Sequence, residues 1–115
     1  MPDDARIDKL FSGAKAKWRE PVEALVAKVE KFGEIGTTPT GTYLSLTRDG
    51  RKFAVLAPGA ARLDIGIKLE GVAPAGRFAS AGEWNSVVTH RIRIGDPVDI
   101  DRDVLAWLKA AYAAA

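Results

Sequence analysis

The sequence predicts an α+β fold, a two-layer sandwich in which N- and C-terminal helices cover one face of an antiparallel sheet of about four strands. Apolar residues recur at helical spacing in residues 18–32 and 104–112, which indicates a helix near each end of the chain. Between them, three segments alternate apolar and polar residues, and Asp49-Gly50 joins the first two. We expect residues 1–115 to form a single domain.

The first long helix is predicted from an apolar stripe, whose members are Trp18, Val22, Leu25, Val26, Val29 and Phe32. Pro21 suits the first turn of such a helix, and Gly33 suits the position just past its end. Residues 1–13 are expected to be flexible or to form a short helix that contains Ile7, Leu10 and Phe11.

Residues 42–47 and 52–58 are predicted to form a β-hairpin. An Asp-Gly pair between alternating segments favours a type I′ turn, because that turn needs positive φ at both central residues. A two-residue turn would place two cross-strand pairs on the core face, Leu46 with Phe53 and Leu44 with Val55.

The third strand is predicted over residues 62–69, with Leu63, Ile65, Ile67 and Leu69 on its apolar face. A three-residue loop over residues 59–61 aligns Val55 with Ile65. A two-residue loop would instead place Val55 opposite Asp64 and bury a carboxylate, so the longer loop is favoured.

The fourth strand is predicted over residues 87–94, with Val88, His90, Ile92 and Ile94 toward the core. The last helix begins after Asp101 as its N-cap, and its apolar stripe consists of Val104, Leu105, Leu108 and Tyr112, widened by Trp107. The long segment 70–86 is rich in Gly and Ala, and its two aromatic residues, Phe78 and Trp84, are expected to anchor it against the core.

Several classes of chemistry are excluded by composition. The chain has no cysteine and a single histidine, His90, which rules out disulfides, thiol nucleophiles and multi-histidine metal sites. The aspartates of residues 96–103 lack calcium-loop spacing, and the Gly-rich stretch 33–41 lacks the order of a phosphate loop. We therefore expect neither a metal nor a cofactor. Since no apolar run is long enough to cross a membrane, a cytoplasmic protein without membrane contact is expected.

Positive charge is concentrated in residues 42–94, which contain eight basic and four acidic residues. Strand alternation sends much of it to the sheet face turned away from the helices. The candidate binding residues on that face are Tyr43, Lys52, Lys68, Arg91 and Arg93. Such a surface suits a polyanion, but a solvated outer face with charged edges would have the same residues.

Two functions are compatible with these residues. The first is a non-catalytic interaction or accessory module that contacts a protein partner or binds nucleic acid weakly and in a salt-sensitive way. The alternative is a small enzyme or small-molecule binder with a pocket near Tyr43 and the 70–86 segment, formed by Phe78, Trp84 and His90. Alternation places His90 on the apolar side of its strand, so we expect its ring to be buried and hydrogen-bonded.

Short motifs along the chain resemble an uncharacterised family of bacterial domains of unknown function, family 5655. They are Thr42-Tyr43, Arg51-Lys52-Phe53-Ala54-Val55 with Pro58, Arg62-Leu63, Thr89-His90-Arg91-Ile92, and Leu105-Ala106-Trp107-Leu108 with Ala111-Tyr112. The chain departs from the pattern at Thr40-Gly41, where a basic residue is expected. The resemblance, which spans most of the chain, implies a small α+β fold and no established activity.

Overall fold

The computed structural model describes residues 4–82 and 88–115, which form one antiparallel sheet with helices packed on one face. The helices are α1 (Asp4–Leu10), α2 (Arg19–Val29) and α3 (Arg102–Ala114). The strands are β1 (Gly36–Pro39), β2 (Leu44–Arg48), β3 (Arg51–Pro58), β4 (Leu63–Ile67), β5 (Ala79–Ser80) and β6 (His90–Ile94). Three short 3₁₀ segments, Gly13–Trp18, Glu30–Phe32 and Pro97–Asp99, flank the helices.

The sheet has six strands in the order β1-β2-β3-β4-β6-β5, so the α+β class is confirmed and the expected number of about four strands is too low. The two additional strands are the edges of the sheet. The first, β1, ends at Pro39 and lies in the Gly-rich stretch 33–41, for which no strand was predicted. The second, β5, has only two residues, which is too short to show any alternation.

The β2–β3 turn has the predicted geometry. Asp49 has φ 51° and Gly50 has φ 78°, as a type I′ turn requires. Arg48 pairs with Arg51 and Thr47 pairs with Lys52. The hairpin is therefore closed by the two residues that its sequence predicts.

The pairing beyond this turn differs from the prediction because a β-bulge lies at Phe53. Leu46 is opposite Ala54, and Leu44 is opposite Leu56. Phe53 is the extra residue of β3, and both it and Ala54 are buried in the main core. The predicted pairs of Leu46 with Phe53 and Leu44 with Val55 are therefore wrong.

The bulge also reverses the orientation predicted for Val55. This residue is opposite Gly66 in β4, whereas Ile65 is opposite Leu56 and belongs to the main core. Pro58 pairs with Leu63, so the connection is residues 59–62 and not the three-residue loop that was expected. The prediction that Val55 and Ile65 share one face is wrong, since Val55 lies on the face away from the helices.

The fourth predicted strand corresponds to β6, which begins at His90 and pairs with β4. His90, Ile92 and Ile94 are buried on the helix side, as alternation predicts. Val88 is an exception, because it packs with Val55 on the opposite face. Residue 87, where this strand was expected to begin, lies outside the described residues.

The three helices are amphipathic segments whose apolar faces cover the sheet. In α2, Val22, Leu25 and Val29 are buried, and in α3 the buried residues are Val104, Leu108 and Ala111. The side chain of Asp101 accepts hydrogen bonds from the backbone N–H groups of Asp103 and Val104, which confirms it as the N-cap of α3. The short N-terminal helix predicted before residue 13 is α1, which contributes Leu10 to the core.

Tyr112 connects the end of α3 to two other parts of the fold. Its ring packs edge-on against Phe53 at 5.5 Å between centroids, and the Arg48 guanidinium lies 4.5 Å from its centroid. Arg48 also donates a hydrogen bond of 2.9 Å to the Tyr112 carbonyl, an acceptor in the last turn of the helix. The Tyr112 hydroxyl reaches the backbone at Gly33, where a β-carbon would overlap it.

Replacing Gly33 with alanine should therefore destabilise the protein. We expect Gly33→Ala to lower the free energy of unfolding by about 1–3 kcal/mol, because the added methyl group would displace the Tyr112 ring. Chemical denaturation followed by circular dichroism measures this change.

Gly41→Ala is the matched control, since nothing lies within 4 Å of a β-carbon built at Gly41. Removing the hydroxyl with Tyr112→Phe should recover part of the stability lost in Gly33→Ala. Equal stabilities of Gly33→Ala and Gly41→Ala would show that the contact with Tyr112 does not constrain residue 33.

Candidate functional site

The face of the sheet away from the helices is not an open basic surface, because its middle is covered. Val55 is fully buried there in a second apolar cluster with Ala81, Val88 and the partly buried Tyr43. The β-bulge turns Val55 outward, and a buried valine needs apolar neighbours. Residues on both sides of the undescribed segment 83–87 supply them. A flat, solvent-filled groove across this face is therefore absent from the described part of the sheet.

The five candidate binding residues separate into two groups at the margins of this covered area. Lys52 and Lys68, in the first group, line a cavity of about 220 Å³ together with Arg51 and Glu70. The Lys52 ammonium lies 5.9 Å from the centroid of the Tyr43 ring, and Lys68 lies 3.9 Å from the Glu70 carboxylate. Tyr43 therefore belongs to this group as a packing partner of Lys52.

Arg91 and Arg93 form the second group, on β6, and share the carboxylate of Asp64 on β4. Arg91 Nη2 lies 3.1 Å from Asp64 Oδ2, and Arg93 Nε lies 3.7 Å from Oδ1. The Arg93 side chain remains 51% exposed, compared with 20% for Arg91. Because one carboxylate faces two guanidinium groups, this pair of strands keeps one excess positive charge.

A third arginine, Arg77, reaches the same region and was not predicted. The adjoining Phe78 is fully buried and stacks on Trp107 of α3 with 5.1 Å between ring centroids, as expected for an anchor of this segment. A reciprocal backbone bridge between Ala75 and Phe78 fixes the turn that contains Arg77. Its position next to the anchoring Phe78 is visible in the sequence, but it does not indicate where the Arg77 side chain lies.

Arg77, Arg91 and Arg93 line one open groove of about 450 Å³, the β6 groove, together with Ala79, Ser80 and Ile92. Its base is the edge of the sheet. Of the described strands, only β5 lies beyond β6, and it pairs with just His90 and Arg91. The edge of β6 from Ile92 to Ile94 therefore has no strand beside it in the part of the chain that the structure describes.

Arg77 is held toward the start of α3 by acidic partners. Its Nη1 donates to the Asp99 carbonyl at 3.0 Å, and its Nη2 lies 2.6 Å from Asp101 Oδ1 and 3.4 Å from Asp103 Oδ2. The hydrogen bond from Arg77, with help from the backbone N–H groups of Val104 and Asp103, lowers the pKa of the Asp101 carboxyl. The same hydrogen bond raises the pKa of Arg77.

The residues of the alternative pocket are not brought together. His90 is 2% exposed, its Nδ1 lies 2.6 Å from the Thr89 hydroxyl, and its ring packs against Trp107 on the helix side of the sheet. Its expected burial and hydrogen bonding are confirmed. Tyr43 packs on the opposite face, and Phe78 is closed under α3. Trp84 lies outside the described residues.

Among the residues that the structure describes, no three side chains of His, Cys, Asp or Glu are grouped closely enough to hold a metal ion. None of the helices described here combines the length and the apolar character needed to span a membrane.

The Arg77–Asp101 pair predicts a pH effect. Since the folded-state pKa of Asp101 is lowered, the pair stabilises the protein above the ordinary pKa of aspartate, and this contribution is lost as pH falls through the lowered pKa. Arg77→Gln should move the Asp101 pKa upward, although the backbone hydrogen bonds should still keep it partly lowered. Carboxyl ¹³C NMR titration measures it.

Arg93→Gln provides the control for this titration, because it removes a groove arginine that does not contact Asp101. We expect the Asp101 pKa to be unchanged in that variant. An unchanged pKa in Arg77→Gln as well would contradict the assigned cause.

Comparison with known proteins gives a family and no activity. No curated protein and no solved structure matches the chain. Residues 7–115 match the family described as a domain of unknown function (DUF5655). The match includes every strand, α2 and α3, the β6 groove and most of α1. The chain therefore belongs to the DUF5655 family of domains of unknown function.

Proposed function

We propose that this domain is a non-catalytic interaction module that holds an extended, acidic segment of a partner protein in the β6 groove. The observation that carries the proposal is the convergence of three arginines on one open groove, beside a stretch of β6 that has no described strand next to it. Backbone hydrogen bonds to the edge would supply affinity, and the guanidinium groups would select acidic side chains.

The edge supports an extended ligand because β5 stops halfway along β6. A segment placed beyond β5 in the same row would lie beside Ile92, Arg93 and Ile94. Exposed strand edges are the usual place where a peptide adds to a sheet. Ile92 and Ile94 are buried on the helix side, so β6 is fixed and its edge is preorganised.

The charges favour a protein segment over nucleic acid. The three groove arginines face three carboxylates, Asp64, Asp101 and Asp103, so the six groups together carry no net charge. Nucleic-acid affinity depends on several cations that neutralise phosphates, and these arginines are already paired. A peptide needs only one or two charge contacts, and Arg93, which is half exposed, can turn toward a ligand at little cost.

The enzyme alternative has less support. A general base must reach substrate, and His90, the single histidine, is buried between its strand and Trp107. Tyr43 lies on the other face of the sheet, so these side chains do not line a common cleft. The β6 groove, in contrast, is open to a ligand.

A capped hexapeptide that alternates glutamate and valine is a suitable probe. Titration into ¹⁵N-labelled protein should shift the backbone amides of Ala79, Ile92 and Arg93. Arg93→Gln should weaken binding about fivefold, corresponding to the loss of ~1 kcal/mol for a half-exposed charge contact. Backbone NMR shifts across the titration give the dissociation constants.

Arg51→Gln is the matched control, because it removes the same charge at the start of β3, outside the β6 groove. This variant should bind the peptide like the wild type. A lysine-valine hexapeptide should bind more weakly than the acidic one. Absence of shifts at the β6 edge, or equal binding by Arg93→Gln, would refute the proposal. Concentration-dependent shifts of these amides without peptide would refute it too, since a second copy of the chain would then occupy the edge.

A further inference from the structure

A second groove lies at the opposite edge of the sheet, between α1 and β1. It has a volume of about 440 Å³ and is lined by Arg6, Lys9, Leu10, Thr38, Pro39, Thr40 and Gly41. Two apolar residues that are largely buried, Leu10 and Pro39, form the floor of this α1–β1 groove. Two basic side chains from α1 form one wall.

Arg6 and Lys9 are three residues apart on α1, which places them on the same side of the helix. Among the side chains that the structure describes, which begin at residue 5, no carboxylate pairs with either of them. The neighbouring Asp8 lies 2.5 Å from Arg19, which also pairs with Glu23 at 3.1 Å. In contrast to the arginines of the β6 groove, these two cations are therefore not balanced by described acidic groups.

The opposite wall is a loop held in place by its own hydrogen bonds. The Thr40 hydroxyl accepts from the backbone N–H of Tyr43 at 3.0 Å and of Thr42 at 3.3 Å. The Thr40 N–H donates to the Tyr43 carbonyl at 2.8 Å. This loop therefore keeps its shape without a ligand, and Thr38 and Gly41 on either side of it are exposed to the groove.

We propose that the α1–β1 groove binds a small organic anion, with its phosphate or carboxylate group between Arg6 and Lys9 and its apolar part over Leu10 and Pro39. Guanidinium and ammonium groups both bind such headgroups, and the apolar floor favours an apolar substituent over a bare inorganic ion. Two cations above one apolar floor suit a single headgroup rather than a polymer of phosphates. This site is separate from the β6 groove and goes beyond the proposed peptide-binding function.

The two parts of the site, its pair of cations and its apolar floor, can be tested separately with four small molecules: phenyl phosphate, benzoate, inorganic phosphate and benzyl alcohol. Phenyl phosphate or benzoate should shift the backbone amides of Leu10, Thr38 and Gly41 in ¹⁵N NMR spectra. Inorganic phosphate lacks the ring and should bind about tenfold more weakly than phenyl phosphate. Benzyl alcohol lacks the charge and should also bind about tenfold more weakly. The stronger of the two aromatic anions identifies the preferred headgroup.

The double variant Arg6→Gln/Lys9→Gln should weaken binding of the aromatic anion about tenfold or more. Lys28→Gln/Lys31→Gln is the matched control, because it removes two exposed cations with the same spacing, one in the last turn of α2 and one in the 3₁₀ segment after it. This variant should bind like the wild type. Equal binding by the two double variants would overturn the proposal, as would equal affinity for phenyl phosphate and inorganic phosphate. Absence of shifts with both aromatic anions would overturn it as well.

Discussion

The β-bulge at Phe53 is the constraint on which the rest of this structure depends. By adding one residue to β3, it directs Phe53 and Ala54 to the core and turns Val55 to the other face. A fully buried valine on that face must be covered, and Ala81 and Val88 cover it. Ala81 and Val88, on either side of residues 83–87, therefore lie on the outer face of the sheet. The residues just before Ala81 form β5, and Arg77 before them reaches the edge of β6. The candidate site is therefore a consequence of the bulge.

Phe53 also links the sheet to the end of α3. Its ring contacts Tyr112, whose own ring lies under the Arg48 guanidinium and whose carbonyl accepts from the same group. Phe32, after α2, also packs against Tyr112, with 6.2 Å between ring centroids. The hairpin and two helices thus meet at a single aromatic residue. The position of α3 in turn determines where Trp107 can receive Phe78, which holds the start of β5 in place.

The helices and the hairpin turn could be predicted from the sequence because their signals are local. The N-cap at Asp101 and the positive φ at Asp49 and Gly50 depend on neighbouring residues only. The orientation of Val55 was predicted wrongly, because residues 53–56 are all apolar and the alternation assumed over residues 52–58 does not determine which face they occupy. A bulge changes the register without any residue type that requires it, and the β2–β3 pairs beyond it shift by one residue.

The candidate site was predicted in part. Arg91 and Arg93 lie on the outer side of β6, as alternation indicates, but their shared partner Asp64 depends on the strand order. Arg77 lies in an irregular segment without a period, so no pattern places it in space. Arg6 and Lys9 approach residues 38–41 only through the packing of α1, and they bring positive charge to the end of the sheet where Thr40 and Gly41 replace an expected basic residue.

The two edges of the sheet differ in their capacity to accept another strand. The β1 edge contains Pro39, which has no N–H to donate, and α1 lies against this strand. The β6 edge has no described strand beside Ile92 to Ile94. A filament that grows by strand addition requires every subunit to offer two competent edges, one to receive and one to extend. A sheet with one receptive edge terminates such growth after a single addition, so this fold combines an accessible strand edge with resistance to open-ended polymerisation.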